Sequence, residues 1–318
     1  MLAGCAAPPP RPAASRPRPT IVSLNPCSDA VLAEVADRRQ ILAISRYSHD
    51  PRATSMDLAV ARRFPATAGT VEEIVALRPD VVIGDSFVQP ATADALARLG
   101  IPLVRMPISD SLATSAAQVR TLARLAGHPE RSAALLARIE RALAAAAPPP
   151  GAVPIPAIVW QGGGLVPGER TLIAELLGPT GFANAVAARG LGQGAVLGLE
   201  AMIARPPRVI LAAGDPRADE DRLLAHPALA ALAPGTLRAR FDPRLLYCGG
   251  PSVMPAAARL ASVRREVVRR KVVRGAVRDE KPLSFRGGVR VGVVPRRDAA
   301  GNGEAPPPAP PLKERGEV

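Results

Sequence analysis

The sequence predicts an α/β protein of two lobes with parallel sheets, joined by one long helix. Three observations predict it. Short β runs alternate with helical stretches at the spacing of strand–helix–strand units. One such unit recurs 128 residues later without a gap. A long Ala-rich helical stretch, Ser111 to Ala147, divides the chain between the two copies.

The elements follow in order. Thr20 to Ser23 reads as a strand ending at Asn25-Pro26-Cys27. Asp29 to Val35 reads as a helix with Ser28 as its N-cap. Gln40 to Ser45 is a second strand, closing at Arg46-Tyr47-Ser48-His49-Asp50-Pro51. Thr70 to Leu77 is helical, and Asp80 to Gly84 is an apolar run suited to a buried parallel strand. A helix over Ala91–Leu99 and a strand over Pro102–Met106 complete the first half. The dividing stretch is nicked at Gly127-His128-Pro129 and stops at Pro148-Pro149-Pro150, because proline cannot continue a helix. The pattern then restarts. Ala157 to Trp160 is a strand leading into Gln161-Gly162-Gly163-Gly164. Leu172–Leu177, Leu199–Ala204 and His226–Leu232 read as helices, Val209–Ala212 and Leu245–Cys248 as strands, and Val253–Val267 as the closing helix.

The repeat aligns Glu72 to Ile83 with Glu200 to Leu211. A glutamate, an apolar pair, an alanine, a proline and an apolar triplet coincide. Each copy is a helix, a proline stop and a buried strand, so each half is a Rossmann-like lobe. The expected domains are a tether at 1–19, an N-terminal lobe at 20–112, a bridging helix at 113–147, a C-terminal lobe at 148–268 and a basic, Pro-rich tail at 269–318.

Charge and composition narrow the function. The net charge of +13 suggests nucleic acid, but its distribution does not. From Arg264 onward there are 14 basic and 7 acidic residues, leaving 27 against 21 in the preceding 263. No basic stripe with interleaved aromatics occurs there, so no nucleic-acid partner is expected. All three lysines, Lys271, Lys281 and Lys313, lie in that tail, which reads as disordered.

Three cysteines at these positions do not form a disulfide framework. Leu2-Ala3-Gly4-Cys5 resembles a bacterial lipoprotein cleavage box, which implies lipidation of Cys5 and a Pro/Ala/Arg tether to Thr20. The basic and apolar regions of a signal peptide do not precede it, as expected if the true start lies upstream.

From Pro19 to Arg265 the chain resembles the cobalamin and ferric-siderophore class of periplasmic binding proteins that serve ATP-driven importers. The resemblance rests on Ile21-Val22-Ser23-Leu24-Asn25-Pro26, on the Glu72–Val82 segment (Glu-x-Ile-x-x-Leu-x-Pro-Asp-x-Val), on the long helix and on the Gln161–Gly164 turn. It implies two lobes bridged by a rigid helix, a monomeric, periplasmic binder rather than an enzyme, and partnership with a membrane permease and its ATPase. A membrane is met only through the possible lipid anchor. Glu72 and Glu200 match family positions that dock arginines of the membrane subunits; opposite charges there would steer docking. Ligands in such lobes sit beyond the carboxyl ends of the strands. That places Pro26, Cys27, Tyr47, Ser48, His49, Phe87, Trp160, Gln161, Gly162, Gly163, Tyr247, Cys248 and Gly249 as ligand-binding candidates. Aromatics are only 3% of the chain, so those at strand ends stand out, and flat macrocycles suit aromatic walls. Trp160 and Tyr247 are equally compatible with core packing. Cobalamin or a related corrinoid, haem and a ferric chelate are the expected ligands, in that order.

Enzymatic chemistry finds few footholds. His49, His128 and His226 are the only histidine bases, and the last two precede prolines near helix starts. There is no Gly-x-Ser-x-Gly elbow, Walker loop or full dinucleotide fingerprint. Cys27, His49, Asp50 and Asp85 lie near strand ends but lack paired metal-ligand spacing. No catalytic residue, resident metal or cofactor is expected; an axial contact from His49 or Cys248 to a bound metallo-macrocycle stays open. Arg46 and Arg105 are isolated candidates for an anionic ligand, since no loop gathers several arginines. The competing class is a metal-binding or enzymatic protein on a similar two-lobed scaffold.

Overall fold

The computed structural model describes residues 18–192, 194–214, 224, 226–232 and 235–279, with side chains to Arg270. Cys5, Asp215 and the tail beyond Asp279 lie outside the described residues. The chain divides into two compact units, residues 1–275 and 276–318. Both lobes belong to the first.

In the N-terminal lobe, β1 (Ile21–Ser23), α1 (Pro26–Val35), β2 (Ile41–Ser45), α2 (Leu58–Ala61), β3 (Ala66–Thr67), α3 (Val71–Leu77), β4 (Val81–Gly84), α4 (Pro90–Arg98) and β5 (Leu103–Arg105) follow one another. The strands form one parallel sheet in the order β3-β2-β1-β4-β5. Then come α5 (Leu112–Leu125) and α6 (Pro129–Ala146). The C-terminal lobe contains β6 (Ile155–Gln161), α7 (Leu172–Leu177), β7 (Phe182–Asn184), α8 (Leu199–Ala204), β8 (Val209–Ala213) and β9 (Leu237–Phe241), before α9 (Val253–Asp279). Its parallel sheet runs β7-β6-β8-β9.

The α/β, two-lobed fold class is the one the sequence predicts. The repeat is also structural. Adding 128 to the first residues of α3 and β4 gives the first residues of α8 and β8. In both sheets that strand pairs with the lobe's first strand on one side and its last on the other.

The sequence reading lacks α2, β3 and β7 and takes the 3-10 segment Pro227–Leu232 for a helix, and three further details differ. The bridging stretch is two helices, α5 and α6, which pack against each other; Gly127 takes a left-handed φ of 78° and Pro129 opens α6, so the nick is a full break. The cap of α1 is Asn25, whose side chain accepts from the Cys27 and Ser28 amides, not Ser28. The last strand is Leu237–Phe241 rather than Leu245–Cys248. There Leu237, Ala239 and Phe241 are buried while Arg238 and Arg240 are exposed, the period of a strand with one covered face.

Burial shows why two lobes hold as one unit. The first core cluster runs from Ile21 and Leu32 through Ile139 of α6 to Val159, Leu211, Phe241 and Leu260 of α9. The outer face of each sheet has its own smaller cluster: Val22, Ile74, Val82 and Leu96 in one lobe, and Ile158, Trp160, Met202 and Ile210 in the other. Alternate strand residues feed opposite faces, as a sheet covered on both sides requires.

Candidate functional site

Beyond the carboxyl ends of β2, β6, β8 and β9 lies an open cleft of about 1050 Å³. The N-terminal lobe lines it with Tyr47, Asp50, Pro51, Arg52 and Ala53. The C-terminal lobe contributes Gln161 from the end of β6, Gly162 and Leu165 from the turn after it, and Arg240, Asp242, Arg244 and Tyr247 from β9 and the turn that follows it. Arg259 reaches in from α9.

The Tyr47 wall is held from below by a buried carboxylate. Asp29, in the first turn of α1, accepts from the Ser45 amide (3.0 Å) and the Ser48 hydroxyl (2.6 Å) through one oxygen. Its other oxygen, Oδ1, has no hydrogen-bond partner among the described residues. Burial pushes the Asp29 carboxyl up to about 7; the Ser23 and Ser48 hydroxyls and the Ser45 amide offset only part of that rise. The turn Arg46–His49 is thereby pinned at Ser48, while Tyr47 projects outward, 50% exposed, with the Arg46 guanidinium 5.2 Å from its ring centre.

The opposite wall is basic. Arg244 grips Asp242 through Nε (3.0 Å) and Nη2 (2.6 Å). Burial works against the charge on Asp242, but those hydrogen bonds prevail and hold its carboxyl below the usual range. Arg259 donates twice to the Arg240 carbonyl, at 3.0 and 2.6 Å, which ties α9 to the cleft edge of β9. Four arginines against two aspartates leave the lining with a surplus of two positive charges. Tyr247, 61% exposed, donates its hydroxyl to Gln161, so the two C-terminal turns brace each other.

Of the sequence candidates, Tyr47, Gln161, Gly162 and Tyr247 line the cleft. The others fall elsewhere. Trp160 is fully buried in the outer core, its Nε1 donating to the Leu197 carbonyl at 3.0 Å. Ser48 is buried on Asp29, and the His49 Nε2 lies 3.1 Å from the Ala61 carbonyl, inside its own lobe. Phe87 is 72% exposed but outside the lining. Pro26 opens α1, and Gly163 turns with a φ of 65° beyond the cleft edge. Gly249 is buried where a Cβ would collide with Ser109 and Ser115. Asp85 accepts from the Asn25 amide group (2.6 Å) and the Phe87 backbone (2.7 Å). His128 pairs with Asp37 (3.1 Å), and His226 accepts from the Ala228 amide (3.2 Å), both local structural roles. Among the described residues no group of three or more His, Cys, Asp or Glu side chains is placed to hold a metal ion.

Cys27 and Cys248 are bonded to each other across 221 residues, which corrects the expectation that the cysteines make no disulfide. Spacing alone does not signal such a pair; the fold brings their Cα atoms to 5.0 Å. A bonded Cys248 has no thiol for an axial contact. The sequence reading also missed the basic lining, Arg52, Arg240, Arg244 and Arg259, because it assembles from three separated segments. The alternation Leu237-Arg238-Ala239-Arg240-Phe241 was the available signal for two of its features, strand β9 and an outward Arg240.

A basic cleft between two parallel-sheet lobes, with an aromatic on each wall, defines a small-molecule binding module. Residues 21–235 match the model of the periplasmic binding protein family, and the chain belongs to that family. Among curated proteins no match was found. Solved structures share the fold. The periplasmic heme-binding protein RhuT from Roseiflexus sp. RS-1 is 23% identical, with a TM-score of 0.59 over 77% of this chain and 98% of that one. The periplasmic heme-binding protein HutB of Vibrio cholerae is 17% identical, with a TM-score of 0.63 over 77% and 98%. The periplasmic vitamin B12 binding protein BtuF of Vibrio cholerae is 17% identical, with a TM-score of 0.60 over 79% and 98%. No helix of the described residues is long and apolar enough to cross a membrane.

Proposed function

We propose that this chain is the substrate-binding component of an ABC importer, a periplasmic monomer that captures an anionic metal chelate between its lobes and delivers it to the permease. The observation that carries this reading is the cleft: about 1050 Å³, walled by Tyr47 and Tyr247 and lined by four arginines. Its volume is at the upper end of the roughly 300–1,000 Å³ range of small-molecule sites, which favours a large ligand. Arginine recognises carboxylates with two parallel hydrogen bonds, so a ligand bearing them gains most here. Haem, whose periplasmic binders include two of the fold relatives, and ferric siderophores therefore move ahead of cobalamin. The Cys27–Cys248 bond supports an oxidising compartment. Lipidation at Cys5 would tether the protein to a membrane surface by its N-terminus.

Glu72 and Glu200 fit the permease-docking role. They occupy equivalent positions at the starts of α3 and α8, and both are exposed. The placement is also that of a first-turn acid favoured by the helix dipole, so mutation must separate the two roles.

Calorimetric titration with hemin, cyanocobalamin and a ferric siderophore tests the reading. Saturable binding without turnover is expected for at least one. Arg240→Glu with Arg259→Glu should weaken it by about tenfold or more. Reversing Glu72 and Glu200 to lysine should abolish transport while leaving that affinity intact. A chain that binds none of the three and turns over a substrate instead would overturn the proposal.

A further inference from the structure

The cleft wall that carries Tyr247 is anchored on the lobe opposite to the one that builds it. Tyr247 follows β9, a strand of the C-terminal lobe. The next residue, Cys248, is bonded to Cys27 at the second position of α1, in the N-terminal lobe. The residues just beyond it, Gly250 to Ser252, sit against that lobe. Gly250 donates its N–H to the Ser115 hydroxyl of α5 (2.7 Å), and a Cβ at Gly250 would lie 2.6 Å from Val31 of α1. The turn Gly250–Ser252 packs against α1, α5 and α6 together. The Tyr247 wall is thus a short strap stretched between β9 and a seat on the facing lobe, and the disulfide is the covalent part of the seat.

We propose that Cys27–Cys248 is a redox-sensitive clasp that presets the aperture of the cleft and slows ligand release, and that reducing it frees the strap. The proposal rests on the ligand-binding reading above. The chemistry is thiol–disulfide exchange with a dithiol reductant. A thiolate of the reductant attacks the sulfur of Cys27, the less buried of the two residues, and expels Cys248 as its thiolate. The second thiol of the reductant then displaces Cys27, and the reductant leaves as a disulfide. Two electrons enter the protein, and two protons come to rest on the Cys27 and Cys248 sulfurs. Two features make the effect local: α6 still joins the lobes, and the core through Ile139 and Leu260 includes neither Cys27 nor Cys248.

The test compares the full chain oxidised, reduced with dithiothreitol and then freed of reductant, and reduced then closed again with a one-carbon bridge between the two sulfurs. Two readouts are taken. Amide exchange without ligand follows residues 243–252 against β1 and β8. Dissociation of hemin, or of cyanocobalamin if hemin does not bind, follows release. The expected result is faster exchange by about tenfold, confined to 243–252, in the reduced form. Ligand release should accelerate by about tenfold, and the one-carbon bridge should restore the oxidised behaviour in both readouts. Exchange and release unchanged within about twofold would overturn the clasp, and so would exchange rising across both sheets, which would make the bond a stability element alone. Absence of binding to every form would overturn the functional reading instead, leaving the exchange data to decide whether the strap is clasped.

Discussion

The two lobes repeat one unit but differ at the first turn after the first strand. In the N-terminal lobe two residues separate β1 from α1, and the second of them, Asn25, caps the helix. The joint is tight, and the carboxylate inside it, Asp29, supports the neighbouring Tyr47 turn. In the C-terminal lobe ten residues, 162 to 171, separate β6 from α7. They hold Gly162 and Leu165 at the cleft, with Gly164 at a φ of 83° and so near the Leu197 carbonyl that a Cβ would not fit. A shared scaffold thus carries an asymmetric site. One lobe supplies a rigid aromatic turn on a buried acid; the other supplies the longer loop and most of the charge. The capping of the repeated helices follows the same division. Thr70 caps α3 through its side chain, whereas Gly198 in front of α8 gives no side-chain hydrogen bond.

The comparison can be broken or sharpened by mutation. The largest effect is expected at Trp160, which fills the outer core of the C-terminal lobe. Trp160→Ala should cost about 3–5 kcal/mol, read by denaturant unfolding. A loss below about 1 kcal/mol would mean that this lobe is not held by its outer face. Asp29 comes next and tests the tight joint. Its folded pKa of about 7 exceeds the unfolded value of 3.8. Between those values the folded chain keeps a proton that the unfolded chain has lost. The stabilisation is therefore complete below about 3.8 and declines as pH rises towards 7, by up to about 1.4 kcal/mol per pH unit. Asp29→Asn should remove that slope, so the two unfolding curves should separate as pH climbs from 4 to 7, with the variant the more stable at 7. Parallel curves would show that the carboxyl titrates normally. The smallest effects belong to the caps. Thr70→Ala should cost about 1 kcal/mol, and Gly198→Ser should gain a few tenths. Equal responses at the two sites would erase the difference between the repeated helices.

How much of this was legible in the sequence depended on whether the signal was local. The repeat was legible because helix, proline stop and apolar triplet are contiguous, and its register is reproduced to the residue. Tyr47 was legible because aromatics are scarce and it follows the end of β2; Tyr247 was singled out on the same ground, although the strand expected around it does not form and it lies in the turn after β9. Trp160 misled by one step of strand alternation: at the end of β6 it is Gln161 that reaches the cleft, while Trp160 points to the outer core. The basic lining and the disulfide were not legible, since each joins residues that only the fold makes neighbours. Strand β9 was missed because an arginine at every second position reads as surface, although surface on one face is what an alternating strand presents.

The strap at Cys248–Ser252 also bears on the order in which the molecule is made. Its seat on α1 and α5 is complete once those helices exist, yet its occupant is encoded more than a hundred residues later than Ser115. Closure of the first lobe over Val31 and Ser115, and oxidation of Cys27, therefore depend on residues encoded near the end of the second lobe.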